Sequence, residues 1–210
     1  MTPLLSPALD RYILDLLPAR DPVLAEMEAF AAEHDVPIVG PAVGTLLQIL
    51  ARSIAADRVF ELGSAIGYST AFFAQAVGRG GQVFYTDGDE RKAEQARGYL
   101  ERMGLADRVT IRVGDAVAGL EATIGYFDAI FIDVDKEGYP KALQAAAPRI
   151  RRGGYLIADN VLWSGKVVDG QARDAATEGI RQFNQRLFSL EEFRSVIVPL
   201  RDGVAIARRE

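Results

Sequence analysis

Two carboxylates and an amide follow two short apolar segments of the chain, and a lysine lies close to one of them. Asp133 follows the first segment, and Asp159 and Asn160 follow the second. Lys136 comes three positions after Asp133. Carboxylate and amide oxygens are ligands that hard divalent ions prefer. The residues therefore predict a metal site with positions left for water or a chelating substrate, and the alternative is that these acids cap loops and are fully solvated.

The composition restricts this metal chemistry to oxygen ligands. The 210 residues include no cysteine and one histidine, His34, which is predicted either to cap the C-terminus of a helix or to lie on the surface. Disulfides, thiolate metal sites and a cysteine nucleophile are thereby excluded, and histidine clusters are unavailable. We expect magnesium, with manganese or calcium as alternatives.

A glycine-containing turn predicts a second ligand site earlier in the chain. Gly63 and Gly67 in the segment ELGSAIGYS let a strand turn sharply into a helix, whose N-terminus favours a carboxylate or phosphate. The spacing is GxxxG rather than the GxGxxG of dinucleotide-binding proteins, which favours a nucleoside carrying an amino acid. Asp87, 24 positions after Gly63, is placed to accept hydrogen bonds from ribose hydroxyls. A tight turn without a ligand is the alternative.

Asp115 has two interpretations that the sequence leaves open. It opens the segment after the third predicted strand. Its carboxylate could contact an adenine amino group, or it could cap the helix that follows.

These residues belong to predicted elements that alternate along the chain. The periodicity predicts N-terminal helices at Pro7–Leu17, Pro22–His34 and Val43–Ile54, and later helices at Tyr68–Val77 and Ala175–Leu187. It predicts strands at Val59–Leu62, Gln82–Thr86, Val109–Val113, Phe127–Ile132, Tyr155–Ala158, Phe193–Val198 and Val204–Ala207. The fifth strand is expected to begin after a turn at Gly153-Gly154.

Alternating strands and helices favour a mainly parallel α/β sheet. In such sheets ligands bind beyond the carboxyl ends of the strands, where the acids named above are expected to meet. The last two strands are joined by a tight Arg201-Asp202-Gly203 turn and are predicted to be antiparallel. We expect one domain over residues 1–210, with N-terminal helices over 1–54 and the sheet core over 55–210.

The bulk properties favour a small-molecule partner. The net charge of −5 disfavours nucleic acid as a partner, because gripping phosphates usually needs a basic face. The N-terminal segment lacks the pattern of a signal peptide, and no apolar run has the length of a membrane span, so we expect no membrane partner and a cytoplasmic location.

Five segments of the chain resemble one enzyme family. ELGSAIGYST, YTDGDE, VGDA, FIDVDKEGYPKAL and GGYLIADNVLWSGKV look like the metal-dependent, S-adenosylmethionine (SAM)-dependent O-methyltransferases, the group of caffeoyl-CoA and catechol O-methyltransferases. The resemblance extends from about Tyr12 to Arg208, and DVDK and DNVLWSG are its most specific parts. It implies a Rossmann-like class I methyltransferase fold, with a seven-stranded mainly parallel sheet, an antiparallel last strand and helices on both faces.

The resemblance also implies roles for individual residues. Asp133, Asp159 and Asn160 would bind a divalent metal, and Lys136 would be the general base. The expected acceptor is a hydroxyl of a small catechol-like ortho-diol, and the expected assembly is a homodimer. SAM contacts are implied for Glu61, Gly63, Ser69, Asp87, Asp115 and Asp133.

The chain departs from the family pattern at the loop near the substrate mouth. The family usually has Pro-Glu-Glu-Gly or Pro-Glu-Gln-Gly where this chain has Pro41-Ala42-Val43-Gly44, and a methionine often found just upstream is missing. The sequence therefore does not predict which acceptor is methylated. Trp163, in a loop at the ligand edge, is interpreted as a wall of the acceptor pocket rather than a core residue.

Three other functions fit the sequence less well. A nicotinamide-dependent oxidoreductase would be marked by GxGxxG, which is absent. A methyltransferase for nucleic acid or protein would be expected to carry a basic face or an added recognition segment. A binding module without catalysis would have no need of Lys136 beside three oxygen ligands.

Overall fold

The computed structural model describes residues 6–210 and contains one seven-stranded sheet. Residues 1–5 of the predicted N-terminal extension lie outside the described part. The strands are β1 (Arg58–Leu62), β2 (Gln82–Asp87), β3 (Val109–Val113), β4 (Phe127–Ile132), β5 (Ile150–Ala158), β6 (Phe193–Val198) and β7 (Val204–Arg209). The helices are α1 (Pro7–Asp15), α2 (Pro22–Glu33), α3 (Gly40–Ser53), α4 (Tyr68–Ala76), α5 (Glu90–Arg102), α6 (Ala116–Ala122), α7 (Tyr139–Ala146) and α8 (Ala175–Ser189).

The strand order explains why distant segments meet at one edge of the sheet. The order is β3-β2-β1-β4-β5-β7-β6, and only β7 runs antiparallel to its neighbours. This confirms the predicted reversed hairpin. In the register, Leu62 lies beside Ile132, and Ile132 lies beside Ala158. The carboxyl ends of β1, β4 and β5 are therefore level, and the residues that follow them are neighbours.

Two apolar layers hold the sheet between helices. Val59 faces a core formed with α3 and α4, which contribute Leu47 and Phe73. The next residue, Phe60, faces the opposite core, to which α8 contributes Phe183. This alternation is the period of two expected of a strand whose side chains point to both faces in turn. The prediction of helices on both faces is confirmed.

The prediction of a turn at Gly153-Gly154 is wrong. Both glycines lie inside β5, which begins at Ile150, and the register with β4 shifts between Phe127 and Ala129. A Cβ at Gly154 would lie 2.6 Å from the carbonyl oxygen of Asp128. The glycine is therefore needed for close strand contact at an irregular part of the ladder, rather than for a reversal of the chain.

The N-terminal helices match their predicted positions with changed ends. Helix α3 begins at Gly40, three residues before the predicted start, since Gly40 takes a left-handed φ of 72° and Pro41 occupies the first turn. His34 follows the last residue of α2 and its Nδ1 lies 3.0 Å from the Phe30 carbonyl oxygen, as expected for a capping residue. Over residues 6–210, every helix is too short or too polar to cross a lipid bilayer.

Candidate active site

Two groups of polar residues lie along the carboxyl edge of the sheet. The β4–β5 edge consists of Asp133, Lys136, Asp159 and Asn160. The β1–β3 edge consists of Glu61, Gly63, Ser69, Asp87 and Asp115. Asp133 is adjacent to both, because its main-chain N–H donates to the Leu62 carbonyl at the end of β1, at 2.8 Å.

The strand register brings Asp133 and Asp159 together. The Asp159 N–H donates to the Ile132 carbonyl at 3.2 Å, which fixes the end of β5 beside the end of β4. Asp159 is 2% exposed, and its Oδ1 has no hydrogen-bond partner. Burial, and next the negative charge of Asp133, raise the pKa of the Asp159 carboxyl to about 7. The two carboxylates therefore lie close enough to repel one another.

The β4–β5 edge fits a divalent cation. A buried carboxylate oxygen without a donor is unfavourable in an apolar setting, and a cation there would remove both this cost and the repulsion. Asn160, with a left-handed φ of 56°, follows Asp159 directly and adds an amide oxygen to the donor set. Among residues 6–210 no three Asp, Glu, His or Cys side chains cluster as metal ligands, so the third oxygen ligand would be an amide.

Lys136 is held beside Asp133 by a short helical turn, Lys136–Gly138. Its Nζ lies 2.8 Å from Asp133 Oδ1 and donates to the Tyr139 hydroxyl at 2.9 Å. The Lys136 side chain is 11% exposed, so the amine is largely withdrawn from solvent. The amine therefore lies at the end of β4, between the Asp133 carboxylate and the Tyr139 hydroxyl.

Tyr139 positions Lys136 and was not identified from the sequence. It is fully buried, and its hydroxyl donates to the Asp159 carbonyl at 2.8 Å while accepting from Lys136. Burial, followed by the charges of Asp133 and Asp159, raises the Tyr139 pKa well above its ordinary value. Tyr139 thus stays protonated and links Lys136 to the end of β5. A tyrosine three positions after the lysine was the only sequence signal.

Helix α8 supports the same turn through Gly179. A Cβ at Gly179 would overlap the Lys136 carbonyl oxygen, so only glycine lets the helix approach this closely. Asn184, on the same helix, donates from Nδ2 to the Val161 carbonyl at 2.8 Å. Asn184 thus anchors the loop after β5 to α8.

The loop after β5 places Trp163 near Lys136. The indole ring centre is 6.0 Å from Lys136 Nζ and 5.9 Å from Lys166 Nζ. Trp163 is partly buried and packs against the core on the α8 side of the sheet, so its role as a wall of the acceptor pocket stays a prediction. Asp202 also reaches this loop from the β6–β7 turn, since its Oδ1 accepts from the Ser164 N–H at 2.6 Å. The sequence indicated Asp202 only as a turn residue.

Glu61 is the most buried acid of the β1–β3 edge. It is fully buried, its Oε2 accepts from the Thr70 hydroxyl, and its Oε1 has no partner. Burial raises the pKa of Glu61 to about 7, against the opposing effect of hydroxyls on Thr70, Ser69 and Ser64. Glu61 and Ser69, both implicated by the family resemblance, are therefore neighbours.

The two glycines of the turn are required by the packing of the protein itself. Gly63 and Gly67 have left-handed φ values of 84° and 83°. A Cβ at Gly63 would overlap the Asp133 carbonyl oxygen, and one at Gly67 would lie 2.9 Å from the Ala96 Cβ. These contacts account for both glycines without a ligand, while leaving the helix N-terminus of α4 at the edge.

Asp87 and Asp115 each bind main-chain N–H groups. Asp87 Oδ2 accepts from the Ala65 N–H at 2.9 Å, which ties β2 to the turn after β1. Asp115 Oδ1 accepts from the Ala118 N–H at 2.7 Å and so caps α6. A cavity of about 460 Å³ lies beside this cap. It is lined by Thr86, Arg112, Val113, Gly114, Asp115, Ala118 and Gly119.

Comparison with known proteins gives consistent matches over nearly the whole chain. The profile of a family described as O-methyltransferase matches residues 18–210. A catechol O-methyltransferase of Niastella koreensis is 36% identical, with 95% of this chain and 96% of that protein covered. A catechol O-methyltransferase of Mycobacterium tuberculosis is 34% identical, with 86% and 83% covered.

Solved structures agree with the sequence matches. An O-methyltransferase from Bacillus cereus in complex with SAH has a TM-score of 0.88 and 32% identity, with 97% of each chain covered. An O-methyltransferase from Streptomyces achromogenes in complex with SAM has a TM-score of 0.87 and 29% identity, with 96% of each chain covered.

Proposed function

Because the chain belongs to the O-methyltransferase family, a SAM-dependent group that includes catechol and caffeoyl-CoA O-methyltransferases, we propose that it methylates a hydroxyl of a small catechol-like ortho-diol with the help of a divalent metal and Lys136. The methyl group comes from SAM. The family and the use of SAM are the premise, and the metal, the base and the acceptor class are the proposal.

One observation carries the metal part of the proposal. Asp159 Oδ1 is buried without a partner beside a second carboxylate, Asp133. We assign Asp133, Asp159 and Asn160 as the residues that hold the ion, with magnesium as the expected metal. When bound, the ion would supply a positive charge that favours loss of a proton from a hydroxyl of the acceptor, whose two neighbouring oxygens could chelate it.

Lys136 is the proposed base because of its position. Its amine is largely shielded from solvent and is held by Asp133 and Tyr139 at the edge where the acceptor would bind. The acceptor oxygen forms a bond to the methyl carbon while the carbon–sulfur bond of SAM breaks. The step requires Lys136 as a neutral amine, whose Nζ takes the hydroxyl proton and becomes an ammonium beside Asp133, and the products are a methyl ether and S-adenosylhomocysteine.

The β1–β3 edge is the proposed SAM site. Glu61, Gly63, Ser69, Asp87 and Asp115, with Asp133, line the ends of strands where ligands of such sheets bind. The cavity beside Asp115 is a suitable place for adenine, since Asp115 uses only Oδ1 for the helix cap. Holding SAM next to the acceptor supplies much of the rate by proximity and alignment.

The acceptor class is supported by the relatives. Two of them are catechol O-methyltransferases, and both match this chain over most of their length. An ortho-diol would present two adjacent oxygens to the β4–β5 edge. Trp163 could cover the flat face of an aromatic ring there.

The test is methyl transfer from labelled SAM to a panel of ortho-diols, with magnesium or with excess chelator. We expect transfer with magnesium that is lost with chelator and in Asp159→Ala. Asp107→Ala, which removes an exposed carboxylate near the opposite end of the sheet, is the control and is expected to behave as wild type. Transfer that survives the chelator would remove the metal from the proposal, whereas SAM binding without transfer to any diol would reject the acceptor class.

We also propose that the protein is a cytoplasmic homodimer. Leu9 and Tyr12 of α1 and Leu16, which directly follows it, are exposed, at 46%, 61% and 67%, and a second copy could cover them. Light scattering would give the mass directly. A monomer at micromolar concentration would reject the dimer.

A further inference from the structure

The loop that follows β5 has an unfavourable backbone. Asn160, Trp163 and Ser164 have φ values of 56°, 48° and 54°, in the left-handed region that asparagine tolerates but tryptophan and serine rarely adopt. Such conformations persist only where surrounding contacts enforce them. The loop therefore needs an external support, and it carries a proposed metal ligand and a proposed pocket wall.

The turn between β6 and β7 provides that support. The Val161 N–H donates to the Gly203 carbonyl and the Leu162 N–H donates to the Asp202 carbonyl, both at 3.0 Å. A side chain at Gly203 would run into Leu162, so the two segments are in direct contact. The main chain of the turn thus fixes the first half of the loop.

A side chain of the same turn fixes the second half. Asp202 Oδ1 accepts from the N–H of Ser164, one of the strained residues, at 2.6 Å. Asp202 is only 3% exposed, and its Oδ2 has no hydrogen-bond partner. Hydrogen bonds to a charged acceptor are stronger than those between neutral groups. Asp202 is therefore the one side chain of the turn that holds the strained part of the loop in the described structure.

We propose that Asp202 is a positioning residue that keeps Trp163 and Asn160 in place at the active site. The role of the loop in binding metal and acceptor rests on the proposed function. The hydrogen bond from Ser164 to Asp202, which we call the clamp on Trp163, does not depend on it. Asp202 touches neither reacting group in this assignment. It acts through Ser164, and its loss loosens the wall of the pocket before it affects the sheet.

The chain contains one tryptophan, so fluorescence excited at wavelengths that tyrosine does not absorb reports this loop alone. In Asp202→Ala the hydrogen bond to Ser164 is lost. We expect this to raise about tenfold the fraction of molecules in which the loop after β5 has moved away from the β6–β7 turn. The emission of Trp163 should shift to longer wavelength and acrylamide quenching should increase. Asp202→Asn keeps an oxygen that can accept from Ser164 and should restore the wild-type signal.

Asp128→Ala is the matched control. Asp128 is also a poorly exposed carboxylate that accepts from main-chain groups, the N–H of Asp57 at 2.9 Å and of Arg58 at 2.7 Å, but it lies at the other end of the sheet. This variant should lose stability without a change in Trp163 quenching, measured well below its unfolding temperature. Unchanged quenching in Asp202→Ala, or equal increases in Asp202→Ala and Asp128→Ala, would overturn the proposal.

A measurement of metal affinity distinguishes a failure of this inference from a failure of the proposed function. Mn²⁺ binding, followed by electron paramagnetic resonance without acceptor, is expected to weaken about tenfold in Asp202→Ala and to be unchanged in Asp128→Ala. Wild-type protein that binds no Mn²⁺ would reject the proposed metal site, while the fluorescence result would still decide the clamp. If Asp202→Ala does not fold, Asp202→Asn decides alone, because increased Trp163 quenching in that variant would contradict the clamp.

Discussion

The carboxylates at the two ends of the site differ in the hydrogen-bond donors that they have within the protein. At the β1–β3 edge, Asp87 and Asp115 accept hydrogen bonds from nearby main-chain N–H groups, so they shape their own loops. At the β4–β5 edge, Asp159 keeps a buried oxygen without a partner, and Asp202, in the adjoining turn, does the same. Asp87 and Asp115 contribute to folding before any ligand binds, whereas Asp159 leaves an oxygen atom available to a ligand and Asp202 uses its other oxygen to hold Ser164.

The backbone shows a weaker contrast. In the turn after β1 the left-handed residues are Gly63 and Gly67, which adopt such φ values at little cost, and Ala65, whose φ of 45° is costly. Beyond β5 they are Asn160, of a type that tolerates this region, and Trp163 and Ser164, for which the conformation is costly. Both edges therefore hold a strained backbone, and the loop after β5 holds it at two consecutive side-chain-bearing residues.

The largest expected effect would test the β4–β5 edge directly. Replacing Lys136 with alanine removes the proposed base, so kcat should fall by about 10² to 10⁴-fold. Binding of SAM, measured by calorimetry, should remain within about twofold of wild type, since the β1–β3 edge is untouched. Lys141→Ala, which removes an exposed amine from α7, is the control and should retain full activity. A comparable kcat in the two variants would refute the role of Lys136.

Glu61 is the exception at the β1–β3 edge, because one of its buried carboxylate oxygens has no hydrogen-bond partner. The pH dependence of protein stability tests this difference. Burial raises its pKa from 4.5 to about 7 in the folded protein. The folded state then holds this proton more tightly than the unfolded state. The contribution of Glu61 to the free energy of unfolding is fully present below 4.5, the pKa of the unfolded chain, and is lost as pH rises through about 7.

The variant Glu61→Gln should remove that pH dependence. At 1.36 kcal/mol per pKa unit, the free energy of unfolding should fall by about 3 kcal/mol more in the wild type than in the variant between pH 4.5 and pH 8. Denaturant unfolding at several pH values measures the difference. Parallel curves for the two proteins would mean that burial does not raise the pKa of Glu61.

The smallest effect compares a glycine from each half of the molecule. In Gly179→Ala the new Cβ would overlap the Lys136 carbonyl oxygen, and we expect a loss of about 1–3 kcal/mol in stability together with a lower kcat. Gly98, inside α5 between β2 and β3, has open space around its Cα. Gly98→Ala should stabilise the protein by about 0.5–1 kcal/mol through helix propensity, with kcat unchanged. Equal unfolding midpoints for both variants would show that α8 does not need its close approach to Lys136.

The sequence alone predicted most of the fold, because the information is local. Apolar runs such as Phe127–Ile132 and the helical periodicity between them predict alternating elements, and parallel strands place their carboxyl ends at one edge. Asp133 and Asp159 could therefore be expected together. The turn assigned to Gly153-Gly154 failed because two glycines suggest a reversal equally well as an irregular strand, and only the approach of Asp128 distinguishes them.

The supports of the site depended on the tertiary structure. Gly179 and Asp202 lie far along the chain from Lys136 and Ser164, and nothing in their local sequence indicates these contacts. The β6–β7 turn meets the loop after β5 because β7 pairs with β5, and α8, which connects β5 to β6, packs against the Lys136 turn. A residue's type and its position at a strand end follow from local sequence, whereas its partners follow from strand order and register, which arise from the packing of the whole chain.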